Sequence, residues 1–292
     1  METNLYSAHT GDDVLVTPHL PPEIEYEIFT MACRQDPRTI LLLVSKRIAE
    51  LLVPILYEIF VMSPLVDLKR PCLRSLQRYG CHVKHIFFCT FSHSASPSIE
   101  EDELLGSCPN ISNLVLYGDV TFPPEMFDLH LDHFSFHAMP HVFEKAMENL
   151  KQTDGKKYQQ WCSSITHLSW GTVSISTVQL LPSFPNLTHF LFGEFNNPFQ
   201  DLMDTVLTLC RSLEVLVVLS GGMKSMSELF VLNSSPELDE QGVVFRDERV
   251  VLVDCCFAVD WVRGARGEED LWTVAERIVR ARRGRKPISD SS

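Results

Sequence analysis

The spacing of hydrophobic residues changes near residue 60. From Leu20 to Phe60 apolar positions recur every three to four residues, the period of a helix with one covered face. The first such stretch is LPPEIEYEIF, Leu20 to Phe29. Pro22 suits a first helical turn, where a missing N–H costs no bond. Glu23 and Glu25 sit near the positive end of that helix. Ile24, Ile28 and Met31 fall on one face. RQDPRT interrupts the pattern, and Asp36-Pro37 is able to start the next helix. Ile40 to Val44 is apolar all round, which predicts a short piece buried on every side. Ser45 begins a third helix, with Ile48, Leu51, Leu52 and Ile55 at helical spacing and Pro54 marking its end or a kink.

Beyond Phe60 short strands recur in one frame: apolar, two others, apolar, one other, apolar. The frame reads VKHIFF from Val83, ISNLVL from Ile111, LDHFSF from Leu131, ITHLSW from Ile165, LTHFLF from Leu187 and LEVLVV from Leu213. RVVLVDCC from Arg249 fits it loosely. SCPN, SFPN and LCRS stand before Ile111, Leu187 and Leu213. Irregular steps between 20 and 34 residues suit a degenerate solenoid. The fourth and sixth frame positions share a strand face, and the first packs inward as the chain turns. Residues 99–105, 142–150, 201–209 and 223–231 are candidate return helices. No such unit buries its apolar face alone, so neighbours must stack. LWTVAERIVRARR places Leu271, Trp272, Ala275, Ile278 and Val279 on one face. It predicts a capping helix with a basic, fraying tip.

The helical block is rich in oil. Of its 41 residues 23 are apolar, more than three short helices hide from water. The surplus must be covered by the rest of the chain or by another protein. The whole chain of 292 residues is 45% hydrophobic and 22% charged, which excludes a disordered protein. Its apolar runs are too short to span a membrane, and the N-terminus lacks the pattern of a secretory signal. Nine cysteines, an odd number beside strand-like runs, indicate buried thiols in a reducing compartment. A net charge of −13 repels nucleic acid. Basic residues cluster only at the end, where RARRGRK, Arg280 to Lys286, is a candidate nuclear import signal or a solvated helix end. The expected location is cytoplasmic, with nuclear entry resting on that tract.

Candidate chemistry changes little. SGGMKSMS, Ser220 to Ser227, sits where a phosphate loop would, but Met223 separates Gly222 from Lys224 and breaks the motif. His130, His133, His137 and His141 cluster, as do Cys81, His82 and His85. Pro140 and the strand pattern defeat a helical HxxxH zinc site. Strand alternation places His133 and His137 on one face, opposite Phe134 and Phe136, as solvated surface histidines. No catalytic constellation, metal site or cofactor site is expected.

Leu20 to Tyr57 resembles an F-box. The correspondence is carried by Leu20, Pro21, Glu23, Ile24, Ile28, Phe29, Val44, Ser45, Lys46, Arg47, Leu56 and Tyr57. Tyr57 stands where a Trp is usual, and Asp36-Pro37-Arg38 replaces a common Asp-Leu pair. An F-box followed by degenerate leucine-rich-like repeats also resembles a large fungal group of F-box-like proteins, and WVRGARGEEDLW resembles that group's closing segment. The regular Asn of well-formed leucine-rich repeats is missing. The fold implied is α/β: a three-helix F-box, an irregular leucine-rich-repeat-like solenoid with a parallel sheet, and a C-terminal capping helix. Its segments are a flexible leader 1–17, a helical domain 18–62, an α/β domain 63–283 and a flexible tail 284–292. The role implied is a non-catalytic receptor of an SCF-type cullin–RING ubiquitin ligase. Leu20, Pro21, Ile24, Ile28, Phe29, Leu43, Val44, Lys46, Arg47, Leu56 and Tyr57 would bind a Skp-type adaptor, and through it a cullin. The repeats would receive an unknown target protein, with neither nucleic acid nor membrane as partner. The alternative is an interaction scaffold whose F-box-like helices form an intramolecular cap.

Overall fold

The computed structural model describes residues 20–35, 42–62, 70–90, 100–118, 122–137, 139–193, 199–219, 237–238 and 247–284. The chain divides into two compact units, Met1–Leu52 and Val53–Ser292. The phosphate-loop-like tract, the expected helix at 223–231, the leader and the last eight residues lie outside the described residues.

In the first unit helix α1 (Pro22–Gln35) starts at the proline that the sequence marks. Helix α2 (Lys46–Leu56) runs on into the second unit. Ser45 opens it as expected: its hydroxyl accepts from the Ile48 N–H at 3.1 Å. Arg47 pairs with Glu25 at 2.7 Å, tying the start of α2 to α1. Thr30, Cys33, Ile48 and Leu52 are buried. Pro54 lies inside α2, which ends two residues later. All-round burial of Ile40–Val44 is not what the structure has. Ile40 and Leu41 lie outside the described residues; of the rest Leu42 is half-buried, Leu43 is 83% exposed and Val44 60%, in a short turn before α2.

The second unit is built on one sheet. Its strands are β1 (Ile59–Met62), β2 (His85–Thr90), β3 (Asn113–Gly118), β4 (His133–His137), β5 (His167–Trp170), β6 (His189–Phe192), β7 (Val215–Leu219), β8 (Glu237–Leu238) and β9 (Val250–Asp254). They lie side by side in the order β1-β2-β3-β4-β5-β6-β7-β9-β8. The first eight of that order are parallel, and β8 adds an antiparallel edge. Strand β1 continues the array into a segment that the helical pattern of residues 20–60 absorbs.

The sheet explains the frame. Its fourth position runs straight across neighbouring strands as Ile86, Leu114, Phe134, Leu168, Phe190 and Leu216. These residues are buried with the first-position residues Val83, Ile111, Leu131, Ile165, Leu187 and Leu213. Against them pack helices α3 (Arg70–Tyr79), α4 (Glu100–Gly106), α5 (Pro140–Thr153), α6 (Gly155–Ser164), α7 (Ile175–Val178) and α8 (Phe199–Leu209). Large aromatics fill this core. Trp161 meets Phe127, Phe134 and Phe184, and Trp170 meets Phe143 and Phe190.

The lead-in tetrapeptides have a physical role. Asn110 donates to the Cys81 carbonyl at 2.7 Å and Asn186 to that of Ser163 at 2.7 Å. The Ser212 hydroxyl donates to the Leu187 carbonyl at 2.9 Å. Each polar side chain thus bonds the turn of the preceding repeat, satisfying carbonyls that no strand pairs. Gly193 serves close approach: a Cβ there would stand 2.4 Å from the Gly171 carbonyl oxygen.

The remaining helices, α9 (Phe257–Ala265) and α10 (Leu271–Gly284), cover the other face of the sheet. Helix α10 packs on the last strands, as its apolar stripe predicts, with Leu271, Ala275 and Val279 buried. The cover extends inward from there. Trp272 stands edge-on to His167 and His189, and Trp261 of α9 stands edge-on to Phe87 of β2. Trp261 also donates to Asn113 of β3 at 2.9 Å. The tip of α10 is held down rather than frayed. Arg282 donates to the Val250 carbonyl, and Arg283 reaches Glu248 at 3.1 Å. No disulfide joins the described cysteines, most of which are buried. Among the described residues no helix is long and apolar enough to cross a membrane.

Candidate functional site

Two places carry chemistry beyond packing. The first is the apolar face of the N-terminal unit. Helix α1 turns Phe29, Thr30 and Cys33 inward and leaves Ile24, Ile28 and Met31 outward. Ile28 is 44% exposed and Ile24 48%. Leu20, Leu43 and Val44 are exposed as well, and Pro21, Lys46 and Arg47 are open to solvent beside them in sequence. The sequence-predicted set is thus divided. Its residues from 20 to 47 belong to the first unit, mostly exposed, with Phe29 half-buried. Leu56 and Tyr57 belong to the second unit and are half-buried, Tyr57 with its ring 4.6 Å from that of Tyr79.

The second place lies between the sheet and its C-terminal cover. The third frame position crosses the sheet as His85, Asn113, His133, His167 and His189. Parallel pairing in register brings successive rings face to face. His133 stacks on His167 with centroids 4.0 Å apart, and His167 on His189 at 4.1 Å. Beside this row is a cavity of about 210 Å³, lined among others by Asp132, His133, His167, Asp260, Asp270 and Trp272.

Burial sets the charge states here. It drives the His133 imidazole down to about 4 and that of His167 to about 2, so both are neutral near pH 7. His137, two positions further along β4, is fully enclosed and pushed to about 3. His137 is therefore buried, and His133 is half-buried at the cavity rather than on an open surface. His133 and His137 do share a face, as alternation predicts, but α9 and α10 cover that face. Asp260 is 3% exposed, and burial raises its carboxyl to about 7. One of its oxygens accepts from the Leu271 N–H at 2.8 Å, which holds the start of α10. The other has no hydrogen-bond partner among the described residues. A carboxyl titrating near neutrality beside neutral imidazoles is able to exchange protons with a cavity occupant.

The sequence carries a signal for this row: His stands third in four of the six frames, VKH, LDH, ITH and LTH. Clustering along the chain hides it, because the residues meet only through strand register. No protein-family model matches this chain, and no curated protein matches it.

Proposed function

We propose that this chain is a non-catalytic substrate receptor of an SCF-type cullin–RING ubiquitin ligase. In this reading the F-box-like N-terminal unit binds a Skp-type adaptor, and the leucine-rich-like array binds a target protein. One observation carries the reading: Leu20, Ile24, Ile28, Met31, Leu43 and Val44 of the first unit are apolar and exposed among the described residues. Short amphipathic helices with i, i+4, i+7 anchors are a recurring means of protein docking. In this reading the target binds at the rim, because α9 and α10 cover one face of the sheet. Met139 after β4 and Ile175 after β5 are exposed apolar residues at the C-terminal edge of the parallel strands and support that placement.

The test is co-precipitation of the full chain with a Skp-type adaptor, wild type beside Ile28→Asp. A carboxylate forced into an apolar contact costs about 3 kcal/mol, roughly a hundredfold in affinity. Because Ile28 is half exposed, the variant should keep the wild-type circular dichroism and melting temperature. Loss of capture by a folded variant fits the proposal; equal capture of both chains removes it.

A further inference from the structure

The row of histidines ends at an acidic side chain. Glu276 of α10 places Oε1 3.2 Å from Nε2 of His189, and its other oxygen faces Arg280 at 3.9 Å. His167, His189 and Glu276 each offer one donor atom, and the three atoms lie within 4.8 Å of one another.

The hydrogen bonds on the far side of the rings fit the tautomer that carries its proton on Nδ1. Thr166 spends its hydroxyl proton on the Asp132 carbonyl at 3.1 Å, and Thr188 on the Thr166 carbonyl at 3.3 Å. Each hydroxyl then accepts from the adjacent imidazole: His167 Nδ1 at 2.9 Å and His189 Nδ1 at 2.8 Å. A neutral imidazole has one N–H, so both Nε2 atoms carry lone pairs. In that tautomer the His189 Nε2 lone pair is buried and faces a Glu276 carboxylate oxygen. Two electron-rich atoms in that position repel unless a cation lies between them.

We propose that His167 Nε2, His189 Nε2 and Glu276 bind a divalent metal ion of the zinc class. Two imidazoles and a carboxylate are donors that such ions accept, with a fourth position left for water. Thr166 and Thr188 accept from Nδ1 of each ring in this arrangement and so orient Nε2 toward the ion. His167, one of the three ligands, also lines the cavity. The two rings are within 9° of parallel. Their lone pairs run side by side, and metal binding must splay the rings until both nitrogens come within about 2.1 Å of the ion. This site is independent of the adaptor-docking face.

The test is calorimetric titration of the metal-stripped full chain with zinc, followed by cobalt(II) as a spectroscopic probe. The proposal expects one zinc per chain and a four-coordinate cobalt spectrum without a thiolate charge-transfer band. Glu276→Gln, at a half-exposed position that leaves the fold intact, should weaken zinc on the order of 100-fold. Cys81→Ser, which removes an exposed thiol near His82, should bind as wild type does. No zinc binding would mean that a proton alone bridges His189 and Glu276. That result, undiminished binding by Glu276→Gln, or a thiolate band would each overturn the proposal.

Discussion

His137 offers a direct test of the C-terminal cover. Its ring lies 4.4 Å from Phe257 of α9 and 5.8 Å from Tyr117, and its one polar contact is a long 3.3 Å approach to the Ser169 hydroxyl. Enclosure holds its pKa at about 3. In the unfolded chain the same imidazole titrates near 6.5. Between those values the unfolded state binds more protons. Stability from this residue is therefore fully present above pH 6.5 and is lost as pH falls toward 3. At roughly 1.4 kcal/mol per pH unit, lowering the pH from 7 to 5 should remove about 2 kcal/mol. The perturbation is His137→Phe, which keeps a ring between Phe257 and Tyr117 and cannot titrate. Urea unfolding followed by tryptophan fluorescence, with chelator present, gives the stability of both proteins at pH 7 and pH 5. Other titrating groups cancel in the comparison to the extent that the sites are independent. The wild type should lose about 2 kcal/mol more than the variant. Parallel pH dependences would refute the reasoning, since they would mean that protons reach His137 in the folded protein.

Two further substitutions probe the same unit. Gly193→Ala puts a methyl group against the Gly171 carbonyl oxygen, a backbone atom with little room to give, and should cost about 1–3 kcal/mol in urea unfolding. Asp260→Asn keeps an acceptor for the Leu271 N–H but cannot ionise. Because the folded carboxyl titrates near 7, well above its unfolded value, wild-type stability falls as pH rises from about 4 to 7. The Asn variant should lack that fall and gain on the order of 4 kcal/mol over wild type between pH 4 and pH 8; a variant with the wild-type pH slope would contradict the burial of Asp260.

The strand frame was legible in sequence because period-two alternation and first-position apolars report burial directly. Leu114, Leu116, Phe134 and Phe136 all occupy the face that the frame assigns to them. Return helices expected at 99–105, 142–150 and 201–209 stand at 100–106, 140–153 and 199–209, in the stretches between strand frames. What the sequence hides is covering between distant segments. Nothing within LDHFSF shows that residues 257–284 lie over His133 and His137, more than a hundred positions later. Leu43 and Val44 fail in the opposite sense. Local hydrophobicity promises burial, yet the fold of the described chain leaves them in water. The candidate docking residues are readable because they share one helix and one turn. The histidine row depends on strand register, and Glu276 joins it only through the packing of α10.

The central claim is that the uncovered apolar face of the N-terminal unit binds a Skp-type adaptor. The most direct measurement is an isothermal titration of the full chain with purified adaptor at several temperatures. The account predicts one adaptor per chain and a negative heat-capacity change, the mark of apolar surface leaving water. A folded chain that gives no binding at any temperature would contradict it.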